Sequence, residues 1–204
     1  TQSVGKMPDD YTTIDLLSCS AHKMNGLKGS GLLLKRHPII LTPLITGGGQ
    51  EFGWRAGTSN WPLNVMLAKT IRLAFEKIEI NYRHVVSLHQ AARSHLLKLP
   101  GIVINSPLNG SPYIVNFSVL NHPTSIVVQA LEEHGVCVST LSACSSKVHK
   151  PSVPVFAMFG DGNRAASTIR MSFSKSTTFD EIESFFQIFN NILEAMNKGE
   201  HHAI

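Results

Sequence analysis

Two residues of this chain could do covalent chemistry, a lysine and a cysteine. Lys23 lies in the stretch Ser20-Ala21-His22-Lys23-Met24-Asn25-Gly26-Leu27-Lys28-Gly29-Ser30-Gly31. An apolar run, Ile14-Asp15-Leu16-Leu17, precedes it, and Gly31-Leu32-Leu33-Leu34 follows. A partly desolvated amine between two strands, with a hydroxyl and an imidazole beside it, suits covalent capture of an aldehyde cofactor such as pyridoxal phosphate. Read alone, the same string also fits an exposed lysine in a turn, the ordinary place for that residue.

Cys144 stands among small polar residues in Ser142-Ala143-Cys144-Ser145-Ser146, followed by Lys147, His149 and Pro151. Such a cysteine is expected on an exposed loop, where a thiolate can attack. An ordinary thiol has a pKa of about 8.5, so only a small fraction is ionised at neutral pH without help. Cys19 and Cys137 fall within apolar strand patterns and are expected to be buried as small hydrophobes.

Two further islands have charge or backbone freedom. Gly47-Gly48-Gly49-Gln50-Glu51-Phe52-Gly53-Trp54-Arg55-Ala56-Gly57-Thr58 is glycine-rich and runs towards a helix N-terminus, a favourable place for an anion such as a phosphate. Arg170, in Ile169-Arg170-Met171-Ser172, is a charge between apolar strand neighbours and needs a partner if buried. Its planar guanidinium offers a two-point grip on a carboxylate.

The elements that must position these residues follow from periodicity. Residues 13–20 and 30–36 read as short buried strands flanking the lysine loop. Thr58 or Ser59 can cap a helix with Pro62 in its first turn, and Leu67, Ile71, Phe75 and Ile78 keep helical spacing. That helix and its continuation are expected to run to about Leu99, where Pro100-Gly101 stops them. Strands are then expected at 102–104, 113–119 and 135–138, with a helix at about 125–134 between the last two. Beyond the Cys144 loop come a short helix near 153–159 and a strand at 168–173. The last helix opens on the capping-box string Thr178-Phe179-Asp180-Glu181, with Ile182, Phe185, Phe186, Phe189, Leu193 and Met196 on one face.

Size and composition bound the rest. The chain has 204 residues, 43% hydrophobic and 16% charged, an ordinary folded composition. A net charge of +4 with scattered basic residues, only Lys35-Arg36-His37 adjacent, gives weak support for nucleic acid as a direct partner. No apolar stretch approaches a membrane span and no signal-peptide pattern opens the chain, so a membrane partner is not expected. Three cysteines without paired spacing fit a reducing cytoplasm better than a disulfide framework or a metal site.

Taken together, the islands resemble cysteine desulfurases of the NifS/IscS type. Their Ser-Gly-His-Lys loop is matched by Ser20-Ala21-His22-Lys23, and their Gly-Gly-Gly-Gln-Glu-x-Gly-x-Arg-x-Gly-Thr run by residues 47–58. The Ser-Ala-Cys-x-Ser loop and the Ile-Arg-x-Ser strand follow in the same order. Gln2-Ser3-Val4-Gly5-Lys6 is similar to the family's Asp-x-x-Gln-x-x-Gly-Lys. The resemblance implies an α/β fold: residues 1–75 as part of a fold-type I large domain binding pyridoxal 5'-phosphate, and residues 76–204 as a connecting helix and a C-terminal α+β small domain.

It also implies roles. Lys23 would hold the cofactor and move the substrate's α-proton, Gln2 would bond the ring hydroxyl, and Ser20 and His22 would contact the phosphate. Thr58 would reach the phosphate of a homodimer partner's cofactor, and Arg55 would line the site. Arg170 would bind the carboxylate of L-cysteine, and Cys144 would take its sulfur as a persulfide for a sulfur-acceptor protein in iron–sulfur cluster assembly or tRNA thiolation.

The family's ring-nitrogen Asp would precede Thr1 by two residues, with its stacking His further upstream. The chain is therefore expected to lack the N-terminal half of the enzyme and to be inactive by itself. Ala21, Phe52 and Leu141 depart from the family's usual residues, tolerable changes whose expected effect is on loop motion. Competing readings are a non-catalytic piece that retains a dimerisation and partner-binding surface, and a selenocysteine lyase-like enzyme.

Overall fold

A computed structural model describes residues 13–140 and 151–199. The chain divides into two compact units, the first ending at Tyr82 and the second beginning at Arg83.

In the first unit, β1 (Leu16–Ser20) pairs antiparallel with β2 (Gly31–Lys35), in register from Leu16 opposite Lys35 to Ser20 opposite Gly31. Alternation turns Leu17 and Cys19 inward, while Leu16, Leu33 and Leu34 stay about half exposed. The expected pair of buried strands is thus a ribbon covered on one face, because a two-stranded sheet can bury only the side against which something packs.

Helix α1 (Trp61–Glu76) begins at Asn60, whose side chain accepts from the Leu63 amide at 3.2 Å. Asn60 therefore takes the capping role expected of Thr58 or Ser59. The hydroxyl of Ser59 instead donates to Glu51 Oε1 at 3.1 Å. The apolar stripe is only partly used: Leu67 is buried, and Phe75 is 46% exposed. The expected continuous helix breaks at Lys77 (φ −124°, ψ 22°), and α2 (Ile78–Leu96) starts beyond it. Neither glycine nor proline marks that break.

The second unit is a three-stranded antiparallel sheet in the order β3 (Ile102–Ile104), β4 (Ile114–Val119), β5 (Thr168–Ser172). Its helices are α3 (Thr124–Glu133), α4 (Val153–Phe159), α5 (Gly162–Ala166) and α6 (Phe179–Lys198), together with most of α2. One core gathers Val85, Leu88, Ala92 and Leu96 of α2, Val115, Phe117 and Val119 of β4, Ile169 and Met171 of β5, and the stripe of α6. All six residues named on that stripe are buried.

Residues 135–138 form no strand. The Gly135 and Val136 amides close the end of α3 on the Glu132 and Leu131 carbonyls, both at 2.9 Å, with Gly135 at φ 76°. That turn spends the backbone donors a strand would need, and only Ser139 bridges to Arg170. Cys137 is exposed rather than buried, while Cys19 is buried as expected.

Candidate active site

Lys23 sits on a single 3-10 turn, Ala21–Met24, that leaves β1 directly. The turn is pinned at both ends: the Ala21 amide donates to the Ser30 carbonyl at 3.0 Å, and the Gly26 amide to the Ala21 carbonyl at 2.9 Å. Asn25 closes it in the left-handed conformation, which asparagine tolerates well. A Cβ at Gly26 would lie 2.8 Å from Thr70 Oγ1 of α1 and 3.0 Å from the Ala21 carbonyl, so only glycine lets the turn lie this close to the helix. Lys23 and His22 are exposed and Ser20 is half-buried. No hydrogen bond or ion pair engages the Lys23 amine among the described residues. A free amine and an imidazole on one turn, with a hydroxyl at the end of the strand before it, fit an aldehyde-bearing phosphate cofactor.

The glycine-rich segment is held by its own side chains. Gln50 Oε1 accepts from the Gly57 amide at 3.0 Å, the Ala56 amide donates to the Ile45 carbonyl at 3.2 Å, and Ala56 is buried. Glu51 (φ 49°), Phe52 (φ 59°) and Gly53 (φ 80°) form a left-handed turn, an uncommon state for a bulky residue such as Phe52. Arg55 Nη1 donates to the Ala56 carbonyl at 2.8 Å. Gly57 (φ 110°) then delivers Thr58, which is exposed just ahead of α1.

Sequence reasoning missed a residue that links this segment to the end of β2. Lys35, at the end of β2, donates to the carbonyls of Arg36 and His37 at 3.0 and 3.1 Å, and to that of Ile39. Its ammonium also lies 4.7 Å from the centre of the Trp54 ring, next to Arg55. A lysine in a basic string read only as scattered charge is a fastener. No local signal separates the two cases, because its acceptors are backbone carbonyls.

In the second unit, alternation splits β4 and β5 into two faces. Val115, Phe117, Val119, Ile169 and Met171 join the core, and Asn116, Ser118, Thr168 and Arg170 share the opposite, polar face. Arg170 pairs in register with Asn116 on one side and Ser139 on the other. Its Nε is buried with no hydrogen-bond partner among the described residues, an orphaned donor of the kind that calls for an explanation.

Gln2 and Cys144 lie outside the described residues. The stems of the segment bearing Cys144 are described. Thr168 Oγ1 donates to the Thr140 carbonyl at 2.9 Å, and the Ser152 amide donates to the Ala165 carbonyl at 2.8 Å. Both stems are therefore tied to the α5–β5 stretch that carries Arg170. Among the described residues no group of three or more His, Cys, Asp or Glu could hold a metal ion, and no helix is long and apolar enough to cross a membrane.

Residues 1–185 match the family described as Aminotransferase class-V. A NifS/IcsS protein homolog of Lactobacillus delbrueckii subsp. bulgaricus is 33% identical over 190 residues, covering 92% of this chain and 49% of the relative. The cysteine desulfurase of Mus musculus is 35% identical over 188 residues, covering 89% of this chain and 40% of its own length. Among solved structures, a NifS-like protein superposes with a TM-score of 0.82 at 33% identity, over 95% of this chain and 50% of that one. The NifS-like protein from Rickettsia africae gives 0.80 at 26% identity, over 95% and 52%. The chain spans about half the length of the curated relatives it matches, and its α/β architecture is theirs over that half.

Proposed function

This chain belongs to the class-V aminotransferase family, and on that premise we propose that it forms the C-terminal portion of a cysteine desulfurase, which converts L-cysteine to L-alanine and passes the sulfur on. The observation that carries the reading is the conjunction of an Arg170 Nε left without a partner and a Ser-Ala-Cys segment whose two stems rest on the stretch holding that arginine. An aminotransferase needs the carboxylate grip but not the thiol.

Arg170 binds the carboxylate of cysteine through its free N–H edge and fixes the substrate's orientation. Lys23, Gln2, Ser20 and His22 would hold pyridoxal 5'-phosphate, which would supply the electron sink that loosens the substrate's Cα–H and Cβ–S bonds. The Lys23 amine takes the α-proton and is the proton source on the return. The Cys144 thiolate attacks the substrate sulfur. A Cys144 S–S bond forms as the Cβ–S bond breaks, the bonding pair stays on Cβ, and a proton delivered there completes alanine. The product on the protein is a persulfide, Cys144–S–SH, whose outer sulfur goes to a thiol of an acceptor protein in iron–sulfur cluster assembly or tRNA thiolation.

Thr58, exposed after Gly57, serves the phosphate of a homodimer partner's cofactor, and Arg55 lines the site. Cys19 and Cys137 are free thiols, which suits a reducing compartment, and the cytoplasm is the proposed one.

The half-length coverage favours a second reading for the chain in isolation, a catalytically silent piece that retains partner-binding surface. One experiment separates the two. The chain alone, and the chain combined with the remaining half of the enzyme, are assayed with pyridoxal phosphate and L-cysteine for alanine and sulfide. Activity only in the combined sample, lost in Lys23→Ala and Cys144→Ala, is the expected result. Undiminished turnover in Cys144→Ala would remove the persulfide route.

A further inference from the structure

Arg164 belongs to no motif, yet its side chain ties α5 to the ends of both α4 and β3. It lies on α5, and its guanidinium stacks 3.4 Å from the centre of the Phe159 ring at the end of α4. Its Nε donates to Asn105 Oδ1 at 2.6 Å and its Nη2 to the Ile104 carbonyl at 2.9 Å, at the end of β3. Asn105 is 5% exposed and its side-chain amide is fully committed. Its Nδ2 donates to Asn116 Oδ1 at 2.7 Å and to Ser118 Oγ at 2.8 Å, and Ser118 Oγ donates to the Arg164 carbonyl at 2.7 Å. The chain of bonds closes on itself with no side-chain polar atom of Asn105 left over, the condition under which a buried polar network rigidifies its surroundings.

This network touches the substrate-binding elements at three points. Asn116 stands directly opposite Arg170 in the antiparallel register, and such neighbours on one face are about 5 Å apart between Cβ atoms. Ser118 stands opposite Thr168, whose hydroxyl holds the Thr140 stem. Ala165, the next residue after Arg164, accepts the Ser152 amide that holds the other stem.

We propose that Arg164, acting through Asn105, Asn116 and Ser118, is a positioning residue that holds the strand carrying Arg170 and both stems of the Cys144 segment in one rigid frame. The proposal rests on the reading that Arg170 binds the substrate carboxylate. A fork is needed because two acceptors, Asn105 Oδ1 and the Ile104 carbonyl, are met by different nitrogens of one planar group, which a lysine ammonium cannot reproduce.

The test uses Arg164→Met, which keeps the packing on Phe159 without the fork, and Arg164→Lys, which keeps the charge. Amide hydrogen exchange is read in each. Exchange at Ser139, Ser152 and Arg170 is expected to speed up by about tenfold, while Leu131 and Phe189 in the core stay unchanged. In the complete enzyme, kcat/KM for L-cysteine is expected to fall roughly ten- to hundredfold, through KM above all, with the cofactor absorbance unaltered. In an Arg170→Lys background the same change should add less than about twofold, because the grip it positions is already gone.

Unchanged exchange at the three amides, or uniform acceleration of core and stems together, would overturn the inference, as would full additivity with Arg170→Lys. A complete enzyme that makes no alanine at all sinks the functional reading instead, and the exchange result still decides Arg164. If the Met variant fails to fold, the Lys variant is judged by the same criteria.

Discussion

Lys23 and Lys35 stand at opposite ends of the β1–β2 ribbon and do opposite things with the same functional group. Lys35 gives its protons to three backbone carbonyls and its charge to Trp54. Lys23 has neither partner among the described residues, so its amine is available for chemistry. The motif strings single out Lys23, Arg55, Thr58 and Arg170 as candidates because each stands in a recognisable run of sequence neighbours. Arg164 was not legible, since its partner Asn105 lies 59 positions away and neither residue carries a local signature. His89 is a similar case. It is buried in α2 against Phe173, its Nε2 lacks a partner among the described residues, and burial, then the Arg93 guanidinium, hold its pKa below the ordinary value near 6.5. The folded state therefore resists the proton that the unfolded chain accepts. The contribution of neutral His89 is fully present above about pH 6.5 and is lost as the pH falls from there through the folded-state pKa. Urea midpoints of wild type and His89→Leu, compared between about pH 7.5 and pH 5, should diverge on the acid side, with wild type losing more. Parallel curves would show that His89 takes no part.

At the scale of elements, the reading succeeded where an end carries its own chemistry. Thr178 and Glu181 form the reciprocal cap: Thr178 Oγ1 accepts from the Glu181 amide at 3.1 Å, and Glu181 Oε2 accepts from the Thr178 amide at 2.8 Å. Thr178→Ala should therefore cost about 1 kcal/mol, and Thr178→Ser only a few tenths, read from the urea midpoint of the far-ultraviolet circular dichroism. Equal losses in both variants would mean that the methyl group, not the hydroxyl, matters at that end. The reading failed where a boundary depends on distant parts of the fold. The break at Lys77 has no glycine or proline to announce it, and α5 is a single turn too short to show a period. Residues 135–138 have the composition of a strand, but the α3 terminus claims their first amides. Apolar β-branched residues record that a segment is half-buried; they do not record which donors a neighbouring turn has already taken.

The whole molecule is uneven in how well it is buried. In the second unit α2, α3, α6 and the apolar sheet face enclose Phe117, Phe189, Leu88 and Leu131 almost completely. In the first unit, burial among the described residues is limited to Leu17, Cys19, Ala21, Ala56 and Leu67, while Trp61, Val65 and Ile80 are each more than 60% exposed. At about 25 cal/mol for each Å² removed from water, a unit that covers so little apolar surface has little with which to offset its conformational entropy. Its relatives are about twice as long, and the side chains of α1 that stay in water have the composition of a core. The two tryptophans, Trp54 and Trp61, both fall in this unit, so tryptophan emission reports it alone, while circular dichroism is dominated by the helices of the other. In urea, the emission change of the isolated chain should therefore finish at a lower concentration than the loss of helical signal. Amide exchange should show the same order, with α1 opening well before α6. Coincident transitions by both probes would mean that the chain folds as one cooperative body and that the exposed face of α1 costs it nothing.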